Sequence, residues 1–242
     1  YLVYDAIKKV LLLQLFANPL SEKLNSLLIG EVATGKSVLA NCILDMSPIG
    51  VSMGKKTSAP GFIEASENAD CGTIICDEFD KWDNEVREHM LELMQFGKTT
   101  VTLKSGQRIV RSRSNILACC NPKNYKLLKH HSLIAQVPFE LPTMSRFHIL
   151  LPFWSVDTDL YPDIAVGMVT GSNEEDAVQL MRATVKDFRK RIPFVEVSKE
   201  IALEIGDLIQ DLKSMSPEKE MISPRLIEGA ISMVRANSRI NN

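Results

Sequence analysis

The 242-residue sequence contains no apolar run near the roughly 20 residues needed to cross a bilayer, which excludes a membrane-spanning helix. It also lacks an excess of either charge. Lys and Arg number 28 against 30 Asp and Glu, a formal net charge of −2. Whole-molecule attraction to nucleic acid is therefore absent, and any such attraction has to come from a local patch. No C-x-x-C pair occurs: Cys42, Cys71, Cys76, Cys119 and Cys120 are odd in number, two are adjacent, and each lies in or beside an apolar stretch. That pattern fits reduced, mostly buried thiols of an intracellular protein rather than a zinc site or a disulfide scaffold. Internal repeats and low-complexity tracts are missing, and 45% hydrophobic with 24% charged residues excludes a disordered chain. The first residue is Tyr1, and no basic-then-apolar leader follows it, so the expectation is a fragment carrying no recognisable address.

What is present is an alternation of helical and strand-like segments. Asp5 to Phe16 reads as an amphipathic helix ended near Asn18-Pro19. Asn25 to Gly30, Thr73 to Cys76, Asn115 to Cys120 and Phe147 to Phe153 are short apolar runs that suit buried strands. Lys36 to Met46 and Asn84 to Phe96 follow helical periodicity, the latter with Val86, Met90, Leu91, Leu93 and Met94 inward. Strands alternating with helices imply an α/β fold with a parallel sheet. From Asp176 onward the pattern is helical: Asp176 to Arg189, Ser198 to Lys213 and Pro224 to Ala236, with a linker expected over Val156 to Asn173. The expected division is an α/β nucleotide-binding domain over residues 1–155 and a linker with a small helical lid over residues 156–242.

Residues 30–37 match G-x-x-x-x-G-K-[ST] between an expected strand and an expected helix, the context in which this pattern cradles phosphates. Backbone N–H groups of Gly30, Glu31, Val32, Ala33, Thr34, Gly35, Lys36, Ser37 and Val38 would face an anion at a helix N-terminus. Lys36 would neutralise β- and γ-phosphate oxygens, and Ser37 would ligate Mg²⁺. The strand Thr73 to Cys76 ends in two acids. Asp77 would hold the Mg²⁺ through its water shell, and Glu78 would orient and deprotonate the attacking water. These residues point to an ATPase with ATP and Mg²⁺ as its ligands.

Thr99 to Ser112 departs from the α/β pattern. Two β-rich arms flank Lys104-Ser105-Gly106, whose glycine permits a tight hairpin. Lys104 at the tip, with Lys98, Arg108, Arg111 and Arg113, forms a basic ridge in a near-neutral chain. Such a ridge can grip nucleic-acid phosphates or can simply protect an edge from aggregation. Lys123, Lys126, Lys129, His130 and His131 read as a solvated helix face.

The stretch Asp77-Glu78-Phe79-Asp80-Lys81 after its apolar strand resembles the acidic motif of the minichromosome maintenance (MCM) AAA+ ATPases. Four further stretches are similar in the same order. Ala6-Ile7-Lys8-Lys9 to Phe16 resembles the helix before the phosphate loop, and Ile116 to Pro122 the sensor 1 strand with Asn121. Met144-Ser145-Arg146-Phe147 resembles the arginine-finger segment, and Ser223 to Glu228 the sensor 2 helix with Arg225. The resemblance implies a homo- or hetero-oligomeric ring, with ATP between subunits and Arg146 and Arg225 acting on the neighbour's nucleotide; the fragment by itself is allowed to be a monomer. It further implies DNA, single- or double-stranded, held by the pre-sensor 1 hairpin through Lys104 and Arg108, and a cytoplasmic location, or a nuclear one in a eukaryote. Several positions depart from the family. The interval from Lys36 to Asp77 is short enough to lack the helix-2 insertion, as in an archaeal-like or otherwise divergent member. Ala33 and Gly35 stand where Gly and Ala are usual, and Trp82 replaces Met. Two rivals stay open: a protein-remodelling ATPase of the MoxR or magnesium-chelatase kind, and a non-hydrolysing, MCM-like regulatory subunit.

Overall fold

The computed structural model describes residues 4–155, 159, 161–162, 165–166, 175–216, 219 and 222–241. In chain order the elements are α1 (Asp5–Phe16), β1 (Ser26–Gly30), α2 (Lys36–Met46), β2 (Gly50–Met53), α3 (Ala59–Asn68), β3 (Thr73–Cys76), α4 (Asn84–Phe96), β4 (Lys98–Leu103), β5 (Gly106–Arg111), β6 (Asn115–Cys120), α5 (Leu133–Gln136), α6 (Leu141–Met144), β7 (Ile149–Phe153), α7 (Glu175–Arg191), α8 (Lys199–Met215) and α9 (Pro224–Asn241). Five strands make one parallel sheet in the order β2-β3-β6-β1-β7, and β4 and β5 pair separately as an antiparallel hairpin.

The central strands are apolar throughout because both faces of the sheet are covered. Successive residues alternate between two cores: Leu27, Ile29, Ile74, Cys76, Ile116, Ala118 and Cys120 face one, while Leu28, Ile75, Leu117 and Cys119 face the other. Each fully buried Leu or Ile contributes about 2 kcal/mol by leaving water, so these strands anchor the fold. The thiols of Cys76, Cys119 and Cys120 are buried as expected, whereas Cys42 is exposed.

Two elements escape the sequence pattern. Strand β2 lies at the sheet edge with only Met53 fully buried, so it forms no apolar run. Helix α3 opens on Ala-Pro-Gly, and its start is set by Ser58, whose side chain accepts from Gly61 N at 3.4 Å. It runs uninterrupted to Asn68, so the interval between Lys36 and Asp77 holds no second hairpin.

One expectation is corrected. Lys123, Lys126, Lys129, His130 and His131 are exposed, but residues 121–132 form a loop rather than a helix. Buried Leu127 is followed at once by exposed Leu128, and the loop is pinned by Leu127 N donating to Glu31 Oε1 at 2.9 Å and Lys123 N donating to Gln136 O at 2.9 Å. The last strand is also shorter than expected, since Phe147 and His148 precede its first pair, Ser26 with Ile149.

Helices α7 to α9 form where helical periodicity places them, each running to a later residue than expected; most of the linker expected over 156–173 falls outside the described residues. Leu15, Phe16, Ala17 and Leu24 share a core with Val185 and Ala236, joining α1 to α7 and α9. Arginines tie the same helices through carbonyls at helix C-termini, which lack intrahelical donors. Arg182 donates to Asp45 O at the end of α2 (2.8 Å from Nε), and Arg189 to Leu15 O at 2.5 Å. Arg239 donates to Phe16 O at 2.9 Å and to Ile192 O at 2.8 Å. Its guanidinium is fully buried and pairs with Glu22 at 2.5 Å. Burial and the nearby Arg239 bring the Arg189 guanidinium down to about 10.

Candidate nucleotide site and basic hairpin

In a parallel sheet every strand delivers its following loop to one rim. β1, β3 and β6 lie side by side, so the loop after Gly30, the acids after Cys76 and Asn121 after Cys120 all emerge together. Sequence positions 30, 77 and 121 thus share one site.

The loop after β1 takes its shape from three residues. Gly30 has no room for a side chain, because a Cβ there would meet Phe153 O at 2.4 Å. Ala33 and Gly35 both adopt left-handed backbone, φ 63° and 93°. At Ala33 that conformation costs about 1 kcal/mol, a cost glycine would avoid. Helix α2 then starts at Lys36 without a side-chain cap, which leaves its first N–H groups available to an anion. Ser37 and Val38 are exposed on that first turn, and Val32 and Ala33 are exposed on the loop.

Lys36 is buried and its Nζ donates to Gly30 O at 2.8 Å, Glu31 O at 2.5 Å and Asn121 Oδ1 at 3.3 Å. Burial lowers its pKa, against which Cys119, Cys120, Asp77 and Asp80 pull upward. Asn121 is fixed in turn by its own N–H, which donates to Asp80 Oδ1 at 3.3 Å. Asp77 accepts from Glu78 N at 2.9 Å through its side chain, and its carbonyl accepts from the buried Trp82 indole at 2.9 Å. The substitution of Trp at 82 therefore supports the acidic turn, packing edge-on against Phe79.

Glu78 stands in left-handed backbone, φ 48°, and its carboxylate is paired with Lys81 and, at 3.3 Å, with Lys55. The Lys81 hydrogen bond, with help from Lys55, holds its carboxyl below the usual glutamate range. Lys55 had no signal in the sequence; only the return of the chain beside β3 through β2 brings it near.

Arg146 and Arg225 lie elsewhere. Arg146 precedes β7, whose first residue is level with the start of β1, and its Nη1 donates to Pro142 O at 2.8 Å. Arg225 sits in the first turn of α9 beside His148, and its charge acts on that imidazole. Both therefore stand at the opposite rim, a strand's length or roughly 15 Å from the loop of their own chain.

The hairpin forms as expected, with Gly106 at φ 122° and Lys104 exposed at the tip. Val101 and Val110 are buried, and α3 and α4 support it from behind. Two of its cations are already paired with acids at the end of α3: Arg108 with Glu67 at 2.6 Å and Arg113 with Asp70 at 3.1 Å. Lys98, Lys104 and Arg111 are exposed with no carboxylate within 4.0 Å among the described residues.

Residues 65–163 match the family model described as MCM P-loop domain. The chain is 27% identical to the DNA replication licensing factor MCM4 of Arabidopsis thaliana, over an alignment covering 98% of this chain and 33% of that protein. It is 29% identical to the DNA replication licensing factor Mcm6 of Drosophila melanogaster and 30% to that of Drosophila pseudoobscura pseudoobscura, each over 60% of this chain and 21% of the relative. The alignment with MCM4 spans 276 positions, more than this chain possesses, so that relative carries residues lacking here. The chain spans about a third or less of the length of these curated relatives. With a parallel sheet and a phosphate-type loop beside it, the match across the acidic strand, hairpin and sensor strand supports an MCM-type AAA+ domain.

Proposed function

We propose that the chain is the ATP-hydrolysing motor domain of an MCM-like DNA helicase, with residues 1–155 forming the nucleotide-binding unit and residues 156–242 a linker and helical lid. The observation that carries this reading is the convergence of Lys36, Asp77, Glu78 and Asn121 on one rim of the sheet. The residues suit a triphosphate with its cation: an uncapped helix start, two left-handed loop positions and a buried lysine supply the anion cradle. Ser37 and Asp77 would hold Mg²⁺, which when bound would neutralise phosphate charge. Lys36 binds phosphate oxygens, Asn121 orients the terminal phosphate or the attacking water, and Glu78 takes the water's proton once Lys81 and Lys55 release it. General-base removal costs about 10²–10⁴-fold in such reactions.

Arg146 and Arg225, remote from their own loop, serve the nucleotide of an adjacent subunit. A head-to-tail contact of this kind closes into a ring when its rotation permits. Lys104 contacts DNA phosphates from the hairpin tip, with Arg108 joining once Glu67 releases it. The location that goes with this activity is wherever chromosomal DNA lies, the nucleus in a eukaryote; no helix among the described residues is long and apolar enough to cross a membrane.

The test is ATP turnover with and without single-stranded DNA, run beside Glu78→Gln. The expected result is DNA-stimulated hydrolysis in the parent chain, and retained nucleotide binding with turnover lost in the variant. Equal turnover in the two proteins refutes the assigned base. Hydrolysis indifferent to DNA favours the protein-remodelling alternative.

A further inference from the structure

We propose that Phe96, with Lys98, Arg111 and Ile109, forms a base-stacking platform for single-stranded nucleic acid at the foot of the hairpin. It rests on the reading that the hairpin contacts nucleic acid, and deepens it by naming the strand state and further residues.

Phe96 closes α4 with 63% of its surface exposed, and Ile109 on the adjoining hairpin is 54% exposed. The ring is presented on a stiff support. Gly97 caps the helix in left-handed backbone, φ 66°, and donates to Leu93 O at 2.9 Å before the chain enters β4. Beyond it, Lys98 and Arg111 are direct partners across the β4–β5 ladder, followed by Thr100 opposite Ile109. Two cations facing each other across a ladder destabilise it unless an anion lies between them. Among the described residues neither has a carboxylate within 4.0 Å, although the other two hairpin-side arginines, Arg108 and Arg113, do. Phe96, Lys98, Thr100, Ile109 and Arg111 line one groove of about 260 Å³ together with Glu92. Glu92 accepts from the Thr99 hydroxyl, and the groove keeps a net positive charge.

An exposed aromatic ring beside a paired cation site fits a chain that alternates phosphates with flat apolar faces. Only an unpaired base offers such a face, so the ligand is a single strand. Phosphates engage Lys98 and Arg111 while a base lies on Phe96 against Ile109.

The probe is an oligodeoxythymidine carrying one 2-aminopurine, whose fluorescence falls when it stacks, titrated with the parent chain and with variants. The parent is expected to quench it, and a duplex of the same sequence is not. Phe96→Leu, conservative at an exposed site, should weaken binding roughly 5- to 100-fold and abolish quenching, while Phe96→Tyr retains both. Lys98→Ala and Arg111→Ala should each lower the slope of log affinity against log salt by about 0.7. Lys104→Ala should weaken binding and leave quenching at saturation intact. Binding by the parent with affinity and fluorescence unchanged in Phe96→Leu overturns the platform alone, and leaves the groove to a protein partner. No binding of the parent to either strand form overturns both readings.

Discussion

Lys36 Nζ and Asn121 Oδ1 lie 3.3 Å apart, joining the helix after β1 to the end of the neighbouring β6. The lysine is thus held by one side chain and two carbonyls of its own loop, in a site where burial already disfavours its charge. Asn121 is positioned both to steady that ammonium and to face whatever the ammonium binds. Lys36→Ala should abolish nucleotide binding. Asn121→Ala should leave binding within a few-fold and lower turnover by about 10²-fold, the usual loss on removing one preorganised polar group. Titration with a fluorescent ATP analogue, read beside steady-state turnover, separates the two. Loss of binding in both variants would assign Asn121 to the cradle alone.

Glu78 is restrained by two lysines, and the restraint has a signed pH consequence. Its folded-state pKa is depressed, by Lys81 foremost and Lys55 next, so the carboxylate stays ionised to lower pH than an ordinary glutamate. The acid limb of kcat/KM should therefore fall below the normal glutamate range. Lys81→Met should move that limb upward toward the ordinary value, and Lys55→Met should move it less. A limb that ignores both substitutions removes Glu78 from the role of base.

Arg146 precedes β7 while the phosphate-type loop follows the end of β1, so Arg146 stands away from the loop of its own chain and, in the proposed ring, would serve a neighbour's nucleotide. Arg146→Ala should reduce turnover roughly 10³–10⁵-fold, the usual worth of such an arginine. Mixing it with Glu78→Gln should restore about a quarter of the parent rate, because random head-to-tail assembly makes that share of interfaces intact. A mixture as inactive as its components would show that Arg146 does not act across subunits.

These residues differ in how far the sequence betrays them. The strands β1, β3 and β6 are legible because burial on both faces demands unbroken apolar runs, and the site follows because a parallel sheet sends the residues after each run to one rim. β2 was hidden because an edge strand needs no such run, and with it went Lys55. Glu67 and Asp70 were equally hidden, although they pair with Arg108 and Arg113, two of the five cations of what reads in sequence as a free basic ridge. Ala33 is a local departure whose cost shows only in its φ of 63°. Arg189 and Arg239, which clamp α7 and α9 to α1, have no local pattern at all, since Leu15 O, Phe16 O and Glu22, which they hold there, lie more than 150 residues away.

That clamp should be costly to cut from one side. Arg239 and Glu22 form a buried pair at 2.5 Å, and Glu22 also accepts from Asn18 N at 3.1 Å. Arg239→Met strands a buried carboxylate and two helix-end carbonyls, which should cost about 3–5 kcal/mol in urea unfolding. Glu22→Gln keeps an acceptor for Asn18, so adding it to Arg239→Met should recover part of the loss, with a coupling of about 0.5–3 kcal/mol across the cycle. Strict additivity would mean that the two side chains do not sense each other.

His148 makes the stability of the same interface depend on pH. Its Nδ1 accepts from Asn25 N at 2.8 Å, which fixes the neutral tautomer with the proton on Nε2. Gly229 of α9 packs so closely that a Cβ there would meet His148 Cβ at 2.7 Å. Burial, then Arg225 and Lys23, bring the imidazole down to about 4, and the Glu228 carboxylate, 3.9 Å from Nε2 but mostly in solvent, does not reverse this. An unfolded chain therefore binds this proton near pH 6.5 while the folded chain refuses it until about pH 4. Stability contributed by the neutral imidazole is complete above pH 6.5 and is lost as pH falls toward 4, about 3 kcal/mol over the whole interval. His148→Asn, which keeps an acceptor for Asn25 N but does not titrate, should flatten the dependence between pH 7 and 5 in urea midpoints. An unchanged slope in that variant would place the proton uptake on another group.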